Sequence, residues 1–163
     1  MRGLFWVAAW LGVGTAMAAE YNAPERTLCK PTETVVFSCS IGWKLVSLCS
    51  DGVSPKSLTY RFGAPDMVEL IYPDPGAAGG FEWSSSPLYG GGITSVIFEH
   101  GGYEYCVYTK LDRASGNSNA GDPGFEDGVT ISRGGKPIKA LICDDGGAGF
   151  RQSIEWLPRR PSN

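Results

Sequence analysis

One histidine, His100, is the entire imidazole content of 163 residues. Any Ser-His-Asp or Cys-His nucleophilic site would have to be built on it. It stands beside Gly101-Gly102, in the pattern of a hairpin turn, and reads as a turn residue. Zinc needs several His or Cys ligands at suitable spacing, and no such set is present. Charge is also sparse, at 19% of residues, with no run of either sign. There are 14 basic side chains, Arg2 among them, against 17 acidic ones. An acidic balance without a basic patch excludes nucleic acid and anionic membrane surfaces as partners.

Other absences narrow the fold. No window beyond the N-terminus carries a 3.6-residue apolar period, so helix content is expected to be low. No apolar run approaches the ~20 residues that span a bilayer. Gly90-Gly91-Gly92 is not a phosphate loop, because no Gly-Lys-Ser/Thr follows and no helix opens there. Asp122 with Glu126 and Asp127, and Asp144-Asp145-Gly146, are the nearest approaches to a calcium loop, and neither has the required spacing. No cofactor and no metal is expected.

What is present begins with an export signal. Arg2, the apolar run Leu4 to Val13 and the small-x-small site Ala16-Met17-Ala18 read as a secretory signal peptide over residues 1–18. Residues 19–163 then form a single domain without membrane insertion in the mature form. The expected location is periplasmic or secreted. All five cysteines follow the leader. In an oxidising compartment the default is disulfides, and Cys29, Cys39, Cys49 and Cys143 are the candidates. Spacing leaves their pairing open, although Cys39 and Cys49 both anchor the first hairpin. Cys106, mid-strand in Tyr105-Cys106-Val107, is the candidate free thiol.

The chain reads as successive hairpins. Strands are expected at Glu33 to Ser40, Trp43 to Cys49, Ser57 to Phe62 and Met67 to Tyr72, each with period-2 apolar residues. Facing the apolar sides of the third and fourth pairs Phe62 with Val68 and Tyr60 with Leu70. That register sets Arg61 against Glu69. Phe81 to Ser84 is a short strand. Ile93 to Glu99 and Tyr103 to Lys110 close through Gly101-Gly102, with Phe98 by Tyr105 and Val96 by Val107. Residues 112–126 read as a mobile loop. Asp127 to Ser132 and Pro137 to Cys143 form the last hairpin, with Ile131 facing Ile138. Phe150 to Leu157 is a final strand or a packed segment, and residues 158–163 a frayed tail. The fold class is all-β: antiparallel hairpins in a small sandwich or rolled barrel, stapled by disulfides.

Several motifs recur together: Phe37-Ser38-Cys39, Val46-Ser47-Leu48-Cys49, Tyr60-Arg61-Phe62-Gly63, Glu69-Leu70 before Pro73, and Gly101-Gly102-Tyr103-Glu104-Tyr105. In these the chain resembles an uncharacterised family of small exported bacterial β-rich proteins (hypothetical periplasmic proteins). The resemblance implies an exported β domain and supplies no catalytic residue. Cys106 and the stretch from Asp144 depart from it. A looser likeness joins Phe37-Ser38-Cys39 to periplasmic C-type lysozyme inhibitors. Their Ser-Gly-x-x-Tyr loop has its nearest counterpart in Ser85 to Gly90, which lacks the glycine.

Aromatics are the more informative set. Trp43, Trp83 and Tyr89 fall in or beside Gly/Ser/Pro loops, where exposed rings serve as contacts for partners. Carboxylate pairs also occur, at Asp144-Asp145, Glu126-Asp127 and Glu99 with Glu104. The favoured reading is a non-enzymatic binding or inhibitor module that contacts another envelope protein, for example a peptidoglycan hydrolase. Two alternatives stand beside it: a structural or stress-related envelope protein without a dedicated ligand, and a small glycan hydrolase using paired carboxylates.

Overall fold

In a computed structural model the protein is described over residues 26–51, 57–112, 124–144, 146 and 148–161. The leader expected at 1–18 and most of the loop expected over 112–126 lie outside these residues. Among the described residues there are nine β-strands and no helix. Strands β1 (Glu33–Ile41), β2 (Lys44–Asp51), β3 (Leu58–Ala64) and β4 (Met67–Tyr72) form one sheet, in that order. Strands β5 (Glu82–Leu88), β6 (Gly91–His100), β7 (Tyr103–Asp112), β8 (Gly124–Arg133) and β9 (Lys136–Ile142) form the other, again in chain order. Each sheet is an antiparallel meander.

The two sheets face each other as a sandwich, with core side chains at alternate positions of facing strands, such as Val46 and Leu48 of β2 and Val96 and Phe98 of β6. Val46, Leu48 and Tyr60 of the first sheet, and Val96, Phe98, Val107 and Val129 of the second, are buried in one core. Rings dominate one end of it. The Phe98 ring stacks on Tyr72 at 4.5 Å and on Tyr105 at 5.0 Å, and Tyr60 leans on it at 4.9 Å. Burial, and then the neighbouring Tyr105, pushes the Tyr60 hydroxyl far above its usual pKa. Segment 150–157 is not a strand. It closes the sandwich by burying Ile154 and Leu157 and by setting Phe150 5.4 Å from Phe37.

Several expectations hold. β4 runs from Met67 to Tyr72. Phe98 opposes Tyr105, Val96 opposes Val107, and Glu99 faces Glu104. Gly101 and Gly102 make the two-residue turn, at φ 61° and 77°. That conformation suits the twist of the flanking strands and is strained for residues with a Cβ.

The β3–β4 register differs from the expected one. Phe62 opposes Leu70, Tyr60 opposes Tyr72, and Glu69 is the extra residue of a bulge between Phe62 and Gly63. The displacement is two residues, so Phe62 and Tyr60 still meet apolar partners; an odd shift would have reversed them. Gly63 makes the bulge possible. A Cβ there would collide with the Met67 carbonyl and lie 2.7 Å from the Glu69 nitrogen. Arg61 consequently opposes Ile71 rather than Glu69. Its ion pair is with Glu33 at 2.6 Å, while Glu69 pairs with Lys44 at 2.7 Å. A second bulge, at Ser132, sets Ile131 against Lys139 and leaves Ile138 exposed.

Two boundaries move as well. β7 extends to Asp112 and β8 begins at Gly124, so both ends of the loop expected over 112–126 belong to strands. The tail is not frayed at its start. The Trp83 amide donates to the Pro158 carbonyl at 2.9 Å, and the Arg160 amide donates to the Trp83 carbonyl at 2.8 Å.

The four candidate cysteines form two disulfides, Cys29–Cys49 and Cys39–Cys143, and Cys106 is free. Cys39 and Cys49 both anchor the first hairpin, each to a distant partner. Cys39–Cys143 ties β1 to the segment after β9 across 104 positions of sequence. In the chain-entropy account, a loop of that length contributes about 4–5 kcal/mol. This cysteine usage belongs to a chain that matures in an oxidising, extracellular type of compartment. Among the described residues no helix is long and apolar enough to cross a membrane.

Candidate functional site

The strand order brings a set of turns to one end of the sandwich. In the first sheet the β1–β2 turn carries Trp43, and the β3–β4 turn leads into Met67. In the second sheet the β5–β6 turn carries Tyr89, and β7 ends where β8 begins. The two sets share an end because of the links between them. Cys39 is bonded to Cys143, the Asp144 amide donates to the Ser40 carbonyl at 3.0 Å, and the Gly42 amide donates to Asp144 Oδ2 at 2.5 Å. At the opposite end Tyr60 and Tyr72 meet Phe98 and Tyr105.

The exposed apolar side chains concentrate at that turn-bearing end. Tyr89 is 86% exposed and Trp43 62%. Met67, Leu88, Leu111 and Phe125 are also exposed, on strand ends at this end of the sandwich. Pro87, Gly92, Leu111 and Phe125 form one cross-strand row over β5 to β8. Gly91 lets the strands close there, since a Cβ would collide with the Leu111 carbonyl. The Lys44 ammonium joins the two sides of the first sheet: 5.1 Å from the Trp43 ring, 5.2 Å from the Phe62 ring and 2.7 Å from Glu69. A cation so placed restrains Trp43 without covering it.

Of the three aromatics expected to be exposed, Trp43 and Tyr89 share this end and Trp83 does not. Trp83 lies within β5, opposite Val96, with the Arg159 guanidinium 5.4 Å from its ring. The strand continues through Ser84 to Ser86 and Leu88, so the serine run that suggested a loop is paired with β6. Met67, Leu88 and Phe125 were not singled out from the sequence. Met67 reads there as a strand residue, Leu88 as part of the stretch after a short strand and Phe125 as part of the loop over 112–126; the topology brings all three to strand ends at one end of the sandwich.

A second feature is an open cleft of about 930 Å³ between the start of β3, loop 73–81 and segment 156–158. Lys30, Thr59, Asp74 and Trp156 line it, with the Arg61–Glu33 pair in its wall. Arg61 Nη1 and Nη2 donate to the two Glu33 oxygens at 2.6 and 2.8 Å. Burial alone would raise the Glu33 pKa. The Arg61 hydrogen bonds, the Lys30 amide and the charges of Arg61 and Lys30 outweigh it, and the carboxyl rests below the usual 4.5.

Several other carboxylates hold structural partners. Glu82 and Glu104 both accept from Arg160. Glu126 accepts from the Tyr108 hydroxyl at 2.7 Å. Asp127 is buried, accepting from Thr109 Oγ1 at 2.5 Å and the Gly149 amide at 2.8 Å. The Glu126-Asp127 pair therefore points to two different tasks. His100 is half-buried, edge-on to the Tyr72 ring at 5.7 Å. Cys29, Cys49 and Glu33 place three donor atoms within 4.8 Å of one another. The two sulfurs are bonded to each other and Glu33 holds Arg61, so that trio offers no thiolate to a metal.

No protein-family model, no curated protein and no solved structure matches this chain.

Proposed function

We propose that the protein is an exported, periplasmic binding module that presses its turn-bearing apolar end against another protein of the cell envelope, in the manner of an inhibitor. The observation that carries the reading is the pairing of Trp43 and Tyr89. Both are large rings held out from two-residue or similarly tight turns, one from each sheet, on a frame stapled by Cys39–Cys143. Aromatic side chains on rigid supports lose little entropy when they bind, and they supply most of the energy of protein interfaces. An exposed apolar patch of this kind marks a contact surface. The leader at 1–18, the disulfides and the likeness of Phe37-Ser38-Cys39 to C-type lysozyme inhibitors support an envelope setting and a peptidoglycan hydrolase as partner.

The test titrates the mature protein into purified envelope muramidases and follows clearing of a peptidoglycan suspension. Inhibition by the wild-type protein is expected, with a loss of at least about tenfold in potency in Trp43→Ala/Tyr89→Ala, about 1.4 kcal/mol in binding. Envelope extract passed over both immobilised proteins gives the wider test. Identical retention by the wild type and the double variant would overturn the reading.

A further inference from the structure

At the end of the molecule away from Trp43 and Tyr89, the chain carries a bound segment of its own. Pro158 to Arg160 lies parallel to the edge of β5, through a bridge between Trp83 and Arg159. Every ladder between named strands is antiparallel, so this segment is not a tenth strand of the meander. Three independent features hold it. The Trp83 amide and carbonyl bond its backbone. The Arg160 guanidinium divides between two acids, Nε to Glu82 and Nη1 to Glu104, both at 2.6 Å. The Arg159 guanidinium lies over the Trp83 ring. These are the elements of a recognition site: a strand edge for main chain, an acid pair for one arginine, an aromatic face for the other.

The hold is short. One bridge occupies a strand of seven residues. Trp83 turns its amide and carbonyl to the open edge, so by alternation Ser85 does the same. Among the described residues nothing meets the Ser85 main chain. The ion pairs are partly solvated, with Arg160 29% exposed and Glu82 and Glu104 at 40% and 37%. Exposed pairs of this kind hold weakly and are screened by salt. A longer extended segment would keep all the contacts that the tail makes and add those at Ser85.

We propose that the β5 edge is a docking strand for an extended segment of another protein bearing two adjacent arginines, and that Pro158 to Arg160 occupies it in the free protein. Arginine is specified over lysine because Nε and Nη1, separate nitrogens of one rigid plane, serve Glu82 and Glu104, whereas an ammonium offers its three donors from a single atom. The site lies apart from the apolar end, so its failure would leave the proposed function untouched.

The test uses the full chain and its Arg159→Ala/Arg160→Ala variant, with near-UV circular dichroism to verify the fold. The probe is a fluorescent peptide of residues 157–163, Leu-Pro-Arg-Arg-Pro-Ser-Asn, read by anisotropy at low salt. The variant is expected to bind it at least tenfold tighter than the full chain does, because the tethered tail competes at high effective concentration. Adding Glu82→Gln/Glu104→Gln to the variant should abolish binding, and a Lys-Lys peptide should bind at least tenfold more weakly. A folded variant that binds no tighter than the full chain overturns the proposal, as does equal binding of the Lys-Lys peptide. A concentration-dependent dimer of the full chain that the arginine substitutions dissolve would also overturn it, by assigning the site to the tail of a second copy.

Discussion

The Arg61–Glu33 pair gives the sharpest quantitative prediction. Arg61 side-chain exposure is 8% and that of Glu33 is 15%. Both Glu33 oxygens are taken by the guanidinium, and a third Arg61 contact reaches the Leu28 carbonyl at 3.4 Å. Glu33→Gln keeps the shape and removes the charge, stranding a cation that few water molecules reach. Breaking one partner of a buried pair costs about 3–5 kcal/mol. For a domain of this size that is roughly 10–15 °C in Tm. Arg61→Met is milder, about 1–3 kcal/mol, because the carboxylate keeps the Lys30 amide at 2.7 Å and some solvent. Replacing both, as Glu33→Leu/Arg61→Met, removes the desolvation penalty along with the attraction. That variant should lie within about 1 kcal/mol of wild type. With Glu33→Leu as the matching single variant, the double-mutant cycle should show a coupling of several kcal/mol.

The same pair sets an acid limb. The folded-state pKa of Glu33 is lowered, so its contribution is full above the unfolded value near 4.5 and is lost as pH falls through the folded value. Urea unfolding with the disulfides oxidised measures both effects. The gap between wild type and Glu33→Gln should be widest at about pH 7 and shrink by about pH 3. A double replacement as unstable as Glu33→Gln, or a gap that is the same at both pH values, would refute this role for the pair.

Four further outcomes are expected. Gly63→Ala should cost about 1–3 kcal/mol in urea unfolding, because the bulge leaves no room for a Cβ against the Met67 carbonyl. Trp43→Ala and Tyr89→Ala should each change stability by less than about 0.5 kcal/mol, since both rings are mostly in water. Burial, reinforced by Glu104 and opposed by the Ser95 hydrogen bond and Arg160, pushes the Cys106 thiol above its usual pKa. Iodoacetamide at about pH 8 should therefore label the folded protein at least tenfold more slowly than the urea-unfolded, still-oxidised one. Cys39→Ser/Cys143→Ser should lower stability by about 4 kcal/mol, while Cys106→Ser should be close to neutral by thermal unfolding.

Strands were legible because burial on one face writes a period of two into the chain, as Val46, Leu48 and Tyr60 show. The β6–β7 register was legible because Gly101-Gly102 admits one tight turn. The β3–β4 register was not. The chain from Gly63 to Asp66 looks like the whole connection, yet Ala64 pairs with Met67 and the irregularity sits inside the strand at Glu69. A bulge changes register without changing composition, and both Lys44 and Glu33 were too far along the chain to nominate themselves as partners. The tail was misread for the same reason. Pro158-Arg159-Arg160-Pro161 is polar and proline-flanked, as frayed ends are, and its two acids lie 78 and 56 positions upstream. The strand through Trp83 reads as short because three serines follow it and serine carries little strand signal, whereas β5 runs on to Leu88. Burial periodicity identifies faces. Polar pairings between distant segments leave no local trace.

The staple and the proposed contact surface are physically coupled. Asp144 follows Cys143 directly, and its carboxylate accepts from the Gly42 amide in the turn that carries Trp43. Its own amide bonds Ser40, so the β1–β2 turn is fixed to the second sheet by one covalent link and two hydrogen bonds within four residues of the ring. Lys44, the residue after Trp43, is held by Glu69 beside the ring. A turn restrained in this way holds the backbone that carries Trp43 fixed relative to the second sheet, so the backbone there has little further ordering to undergo on binding. Cys39–Cys143 thus serves the sandwich and the surface together: it holds the two sheets at one end, and that end is where each sheet exposes its largest ring.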